Sequence, residues 1–492
     1  MNHPLVYEVN TRCWLRELSQ RAGVRVRLGN VPEAELEPWL AAGFTHVWLM
    51  GVWETGPRSR AEALGNPELI RVARAALPDF AEHDVGGSPF AIAGYRAARE
   101  LGGEAGLATF RRQLQQRGLK LMLDFIPNHV GLDHPWVTAH PEWFVPAAPD
   151  TPGAFRQTTA GTEHWLFHGR DPNFPPWTDT AQLDMRRADT RAALIGELQQ
   201  IANQCDGVRC DMAMLALSHV FDRMWRTFPA TVPVATTEFW TEAIAAVRAS
   251  HPDFLWLAEA YWDLEPELQR LGFDYTYDKR LFDVLIARDA LALCQHLHGH
   301  PAEFIARSAH FLENHDEARI ASLLSLPEHR AAALLILGLP GMRLLHEGQL
   351  TGARVRVPVQ LTRRPTELLQ PEIELLYHHL LSVLTGTAVG RGESVVLCPR
   401  PAWAENPTCR NFVIVQWQVA PPEFDLVVVN LAPHRCQCYV PLTAPDLAKF
   451  NWRLEDLLGD EVYERFGDDL QNQGLYLDVS GCDAQLFHFQ PL

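Results

Sequence analysis

Three carboxylates in this chain stand where short apolar runs end: Asp211 in GVRCDMAML, Glu259 in FLWLAEAYW and Asp316 in FLENHDEAR. Arg209 precedes Asp211 by two residues, so on a strand both side chains leave the same face of the pleat. A cation set beside an acid in such a run is expected to lower that acid's pKa and keep it ionised. Glu259, flanked by Leu257, Ala258 and Ala260, has no neighbouring cation in sequence, and a raised pKa suits a proton donor. One ionised carboxylate and one carboxylic acid about 5–5.5 Å apart are what cleavage of a glycosidic bond with retention requires. On this reading Asp211 is the nucleophile, Glu259 is the acid/base, and Asp316 orients sugar hydroxyls. Each motif alone has a plainer explanation. An Arg-x-Asp pair is more often a structural ion pair, and DFIPNH, with Pro127 and Asn128, reads equally well as a turn. The case rests on joint placement.

Joint placement requires a scaffold, and the sequence supplies one. Eight β-forming runs begin at Leu5, Phe44, Lys120, Gly207, Phe254, Phe273, Ala309 and Met342. Helical patterns alternate with them. In EAGLATFRRQLQQRG, Leu107, Phe110 and Leu114 form one stripe and Gly118 supplies the stop. In ADTRAALIGELQQIANQ, Asp189 is the expected cap and Leu194, Leu198 and Ile201 the buried stripe. Strand then helix, eight times over, is the count of a (β/α)8 barrel, whose chemistry sits at the C-terminal ends of the strands. An open doubly wound sheet is the rival, usually with fewer repeats. Read at those ends, the third strand offers Asp124, Asn128 and His129, the fourth Arg209 and Asp211, the fifth Glu259, and the seventh His315 and Asp316.

Two segments break the rhythm. Residues 131–184 are rich in Pro, Gly, His and aromatics and are expected to form a small domain inserted after the third strand. It divides the barrel into residues 1–130 and 185–389. Trp143, Phe144, Trp165, Phe167 and Trp177 should mostly be its core, with one or two turned toward substrate. Residues 390–492 lose helices and show short runs such as FVIVQW and FDLVVVNLA, the pattern of an antiparallel β-sandwich.

Composition narrows the partners. Hydrophobic residues make up 47% and charged residues 21% of the 492, and the formal net charge of -17 argues against nucleic acid. No run approaches a membrane span. The N-terminus shows no basic segment followed by an apolar one, so a cytoplasmic location is expected. Nine scattered cysteines without C-x-x-C spacing read as free thiols.

In that order, DFIPNH, GVRCD, LAEAYW and FLENHDEAR resemble the four signature regions of the α-amylase superfamily, glycoside hydrolase family thirteen. The resemblance implies the same roles for Asp211, Glu259 and Asp316, and sugar-holding roles for His129, Arg209 and His315. Phe90 falls where the family usually places a stacking tyrosine, although an aromatic in an apolar run is as readily core. Asp124 resembles a supporting residue of the sugar site, oriented away from the substrate itself. Tyr261 and Arg319 follow catalytic strands and are candidates for the acceptor side. No cofactor is required. Asn128 and Asp184 are candidate ligands for a structural calcium, a hard cation that wants several oxygens. Starch-cleaving members often carry a lysine-histidine pair where this chain has Met214 and Leu215, which weakens the case for a long-chain endo-amylase. The expected partner is an α-glucan or α-gluco-oligosaccharide, and the expected activity is hydrolysis of α-glucosidic bonds. Transglycosylase, isomerase or phosphorylase action through the same intermediate stays open, as does, remotely, a non-catalytic binding protein.

Overall fold

The computed structural model describes residues 2–228 and 237–492. Eight strands close into a barrel: β1 (Leu5–Asn10), β2 (His46–Met50), β3 (Lys120–Phe125), β4 (Gly207–Cys210), β5 (Leu255–Ala258), β6 (Tyr275–Tyr277), β7 (Ser308–Phe311) and β8 (Met342–His346). Each pairs in parallel with its neighbour and β8 closes onto β1. The eight runs named from sequence are these eight strands. The open sheet is thereby excluded.

Alternation along the strands sends one set of side chains inward. Val6, Trp48, Met122, Leu257, Tyr277, Phe311 and Leu344 fill the barrel. Two residues toward the mouth, the inward positions turn polar: Glu8, Asp124 and Arg209 are all at most 1% exposed. Helices cover the outside. Gly103–Gln115 buries Leu107, Phe110 and Leu114 against the core, and the chain reverses at Gly118 with φ +75°. Ala188–Ala202 buries Leu194, Leu198 and Ile201. Its expected cap is corrected: Arg187 holds the N-cap position and Asp189 lies inside the first turn, where its carboxylate accepts from both the Arg187 guanidinium and the Thr190 N–H.

Between β3 and β4 the chain forms a hairpin, Ala154–Thr159 with Thr162–Phe167, and a short pairing of His129–Gly131 with Thr180–Gln182. The second pairing ties the start of the excursion to its end, beside the barrel mouth. Past β8 and the helix Pro371–Thr385 lie antiparallel sheets of six and three strands. Phe412, Ile414, Leu426, Cys436, Cys438, Trp452 and Phe489 are buried between them. This unit docks on the barrel through the helix Leu326–Gly338. Trp417 Nε1 donates to the Gly338 carbonyl at 2.8 Å, and a Cβ at Gly338 would come within 2.6 Å of Val427. All nine cysteines are free thiols and six are buried.

Candidate active site

Arg209, 1% exposed, organises the mouth. Its Nη1–H donates to Asp211 Oδ1 at 2.7 Å and its Nη2–H to Glu259 Oε2 at 2.6 Å. One rigid guanidinium fork therefore fixes two carboxylates from adjacent strands. The fork is itself held from below, with Asp124 at 4.0 Å and the rings of Trp48, Phe90 and Tyr277 at 5.4, 5.2 and 5.9 Å.

The turns after β4 and β5 are strained in ways that serve this arrangement. Met212 has φ +41°, and Trp262 and Asp263 have φ +66° and +59°. A non-glycine residue adopts that region at a cost of order 1–3 kcal/mol, repaid by its surroundings. The turn at Met212 aims its N–H at Glu259 Oε2, 2.7 Å away. Glu259 Oε2 thus accepts two N–H groups and has no room for a proton. Oε1 accepts the Tyr261 hydroxyl at 2.7 Å, a group that can also accept. Whatever proton Glu259 carries sits on Oε1.

Asp211 and Glu259 are 6% and 4% exposed. Burial raises the pKa of both, and Arg209 works against that rise without reversing it. This corrects two expectations. The cation beside Asp211 does not carry its pKa below the ordinary value, because desolvation outweighs it. Glu259 is not free of cations either, since the fold brings it the same arginine. Asp316 differs from both. Its side chain is 47% exposed and lies 3.2 Å from His315 Nε2. Desolvation in the cleft opposes its charge, but His315, with Arg209 and Arg356, outweighs that and holds its pKa below the usual carboxylate range.

The remaining sequence candidates divide. His315 is buried, with Nδ1 2.5 Å from Glu8 Oε1 and Phe90 and Trp48 against its ring at 5.3 and 5.6 Å. Phe90 is half-buried and shared between His315 and Arg209, so it belongs to the site and not to a remote core. His129 is buried against the Trp177 ring at 4.9 Å, which ties this aromatic of the insert to a residue of the third strand's end. Phe144 and Phe167 are core. Asp124 does not reach the cleft: Trp48 Nε1–H and the Gly51 N–H occupy its oxygens at 3.0 and 2.9 Å, and burial lifts its pKa to about 6. Gly51 can make that bond because its φ is +78°, and any Cβ there would strike Pro89 at 2.9 Å. Tyr261 serves Glu259. Arg319 is 4% exposed and spent on Glu313, His346 and the Glu347 carbonyl, which corrects its expected place on the acceptor side.

The calcium expectation meets a different chemistry. Both Asp184 oxygens are taken by Arg186, at 2.7 and 2.8 Å, with the pair 1% and 7% exposed. The Gln182 amide donates to Asn128 O and Oδ1, each at 2.9 Å, and to Leu183 O at 3.1 Å. Oxygens that would coordinate a cation are satisfied by N–H donors, with a guanidinium beside them. Among the described residues no three His, Cys, Asp or Glu converge as metal ligands. Asn128 and Asp184 do not fit calcium.

Residues of the site that escaped the sequence reading include Glu8, Trp48, Tyr277 and Arg356. Glu8 carried a signal as strong as that of Arg209, a charge inside the apolar run LVYEVN. Arg356 is exposed, and its charge acts on Asp316.

The profile of the α-amylase catalytic domain matches residues 90–369, more than half of the chain. The chain belongs to the α-amylase family. An α-amylase of Haloarcula japonica is 27% identical over 269 residues, 53% of this chain and 36% of that protein. An α-1,4-glucan:maltose-1-phosphate maltosyltransferase of Bifidobacterium longum is 31% identical over 241 residues, 46% of this chain and 25% of that enzyme. The matches to these relatives thus span little more than a third of their length or less. Among solved structures, a maltogenic α-amylase of Thermotoga neapolitana superposes with TM-score 0.69 at 19% identity over 99% of both chains. A Geobacillus thermoleovorans α-amylase superposes with TM-score 0.66 at 17% identity over 99% of this chain and 98% of that one. At those identities the family's barrel and C-terminal sheet are what the likeness establishes. Among the described residues no helix is long and apolar enough to cross a membrane.

Proposed function

We propose that this α-amylase-family chain hydrolyses α-glucosidic bonds of α-glucans or short α-gluco-oligosaccharides with retention. The observation that carries the reading is the single guanidinium of Arg209 pinning Asp211 and Glu259 together. Asp211 is the nucleophile. Its carboxylate attacks the anomeric carbon while the glycosidic C–O bond breaks, and Glu259 delivers the proton on Oε1 to the leaving oxygen. Tyr261 can give up its bond to Oε1 as that proton moves. Glu259, now ionised and stabilised by Arg209 and the Met212 N–H, then takes a proton from water, whose oxygen displaces Asp211 and frees the sugar. Asp316, ionised and partly exposed, holds sugar hydroxyls as charge develops on the ring.

Glycosyl transfer is the second reading. The match to a maltosyltransferase favours it, as does the exposed cation Arg356 near Asp316, placed where an anionic acceptor or donor would be met. A time-resolved product profile on maltose through maltopentaose, isomaltose, sucrose and trehalose, with and without phosphate, separates the readings. Shorter sugars mean hydrolysis. Longer sugars or sugar phosphates mean transfer, and silence on all of them overturns both.

A further inference from the structure

Glu8 takes no part in the steps above. It stands on β1, outside the four motifs, and is fully buried. Its Oε1 lies 2.5 Å from His315 Nδ1, and its Oε2 is buried with no hydrogen-bond partner among the described residues. A carboxylate sunk in a barrel is strongly disfavoured unless a cation answers it. Arg209 is committed to Asp211 and Glu259, and Arg319 to Glu313. His315 is the partner in reach. The ring faces carboxylates at both nitrogens: Nδ1 is hydrogen-bonded to Glu8, whereas Nε2 lies at an ion-pair distance of 3.2 Å from Asp316 without a hydrogen bond. A neutral imidazole would turn a lone pair on one of them, whereas an imidazolium presents an N–H to each.

We propose that Glu8 is a positioning residue of the glucoside site: it fixes the His315 ring and holds it as an imidazolium, so that Nε2–H, which no acceptor takes among the described residues, is offered to a sugar hydroxyl when substrate enters. The inference rests on the proposed glucoside reading. Asp316 is half-exposed and free to turn toward sugar, which would remove one of the two carboxylates that keep the ring charged. Glu8 cannot leave. It is the countercharge that persists through turnover.

Other groups bear on the ring from each neighbouring element. Asp124 of β3 and Asp211 of β4 feel its charge. On β8, His346 is neutralised by burial and by Arg319, His315 and Arg364. Trp48 and Phe90 are uncharged ring contacts. Arg319, Arg356 and Arg364, opposed by Glu317 and Glu347, border the same hollow. Burial alone lowers the pKa of His315, yet Asp316 and then Glu8 reverse this and raise it well above the ordinary value.

The test uses the full-length protein labelled at histidine Cε1, with the His315 signal assigned from His315→Gln. In wild type that signal stays at the imidazolium position between about pH 5 and 8, the window in which an ordinary histidine titrates. In Glu8→Gln its midpoint falls by about 1–3 pH units, the weight of one close opposite charge, and kcat/KM gains a matching alkaline limb that Glu8→Asp restores toward wild type. Titration of wild-type His315 inside the window overturns the proposal even if Glu8→Gln does not fold. So does a folded Glu8→Gln whose His315 signal and pH–rate profile superimpose on wild type. A charged His315 in a protein silent on every sugar overturns the glucoside reading alone.

Discussion

Arg209 Nη2 and the Met212 N–H reach the same oxygen of Glu259, at 2.6 and 2.7 Å. That oxygen is thereby made a fixed acceptor, and on the proposed mechanism the acid function is confined to the other one, which faces Tyr261. Removing the Tyr261 hydroxyl tests this division. Tyr261→Phe takes a donor from the ionised form of Glu259, so its pKa should rise further. The alkaline limb of kcat/KM should then move to higher pH, with kcat lowered and the fold unchanged by circular dichroism.

The two carboxylates should fail differently. Asp211→Asn is expected to abolish turnover in a folded protein. Glu259→Gln should lose about 10²–10⁴-fold on natural sugars, the usual worth of general acid help. It should lose much less on aryl glucosides, whose leaving group needs no proton. Near-wild-type activity in Asp211→Asn would refute the assignment.

Arg209 is worth more to the fold than either acid. Arg209→Met leaves Asp211 and Glu259 buried without their cation, and breaking a buried ion pair in this way costs about 3–5 kcal/mol. Chemical denaturation should show a loss of that order at neutral pH. The loss should shrink in acid, where both carboxylates take up protons.

The pH dependence follows from the raised carboxylates. On the proposed mechanism Asp211 must be ionised to attack, and burial lifts its pKa, so kcat/KM should begin its acid decline above the pH at which free aspartate titrates, about 4. Stability runs the opposite way. Folding raises the pKa of Asp124 from 3.8 to about 6. Its contribution is therefore full below the unfolded value and is lost as pH rises through the folded one. Asp124→Asn does not titrate. Wild type should lose up to roughly 3 kcal/mol relative to it as pH climbs from about 4 to about 6, measured by thermal melts across that window.

The Asp184–Arg186 pair leads to a metal test. Chelation with EDTA should leave the melting temperature and activity unchanged, because Arg186 and Gln182 already satisfy the oxygens at that junction. Arg186→Met, which strands Asp184 as a buried charge, should cost about 3–5 kcal/mol. A large EDTA-induced drop in wild type would contradict this account.

The sequence by itself determined the barrel, because eight β-forming runs separated by amphipathic helices leave few ways to bury their apolar faces. It also singled out Asp211, Glu259 and Asp316 as candidates, since a charge ending an apolar run is legible at the level of residue type. Tertiary structure decided the rest. Arg209 sits beside Asp211 in sequence and bonds it, but it also bonds Glu259, 50 residues away, only because β4 and β5 are neighbours. Burial, which no window of sequence measures, outweighs that arginine and raises the pKa of the acid expected to fall. Arg319 read as an acceptor-side contact until packing spent it on Glu313, and which groups Asp124 supports, Trp48 and the Gly51 N–H, only the fold shows. Glu8 and His315 lie 307 residues apart. Their contact exists because the closed barrel brings β1 next to β8 and so beside the loop that leaves β7, and pairwise electrostatics depends on that distance in space, not on separation along the chain.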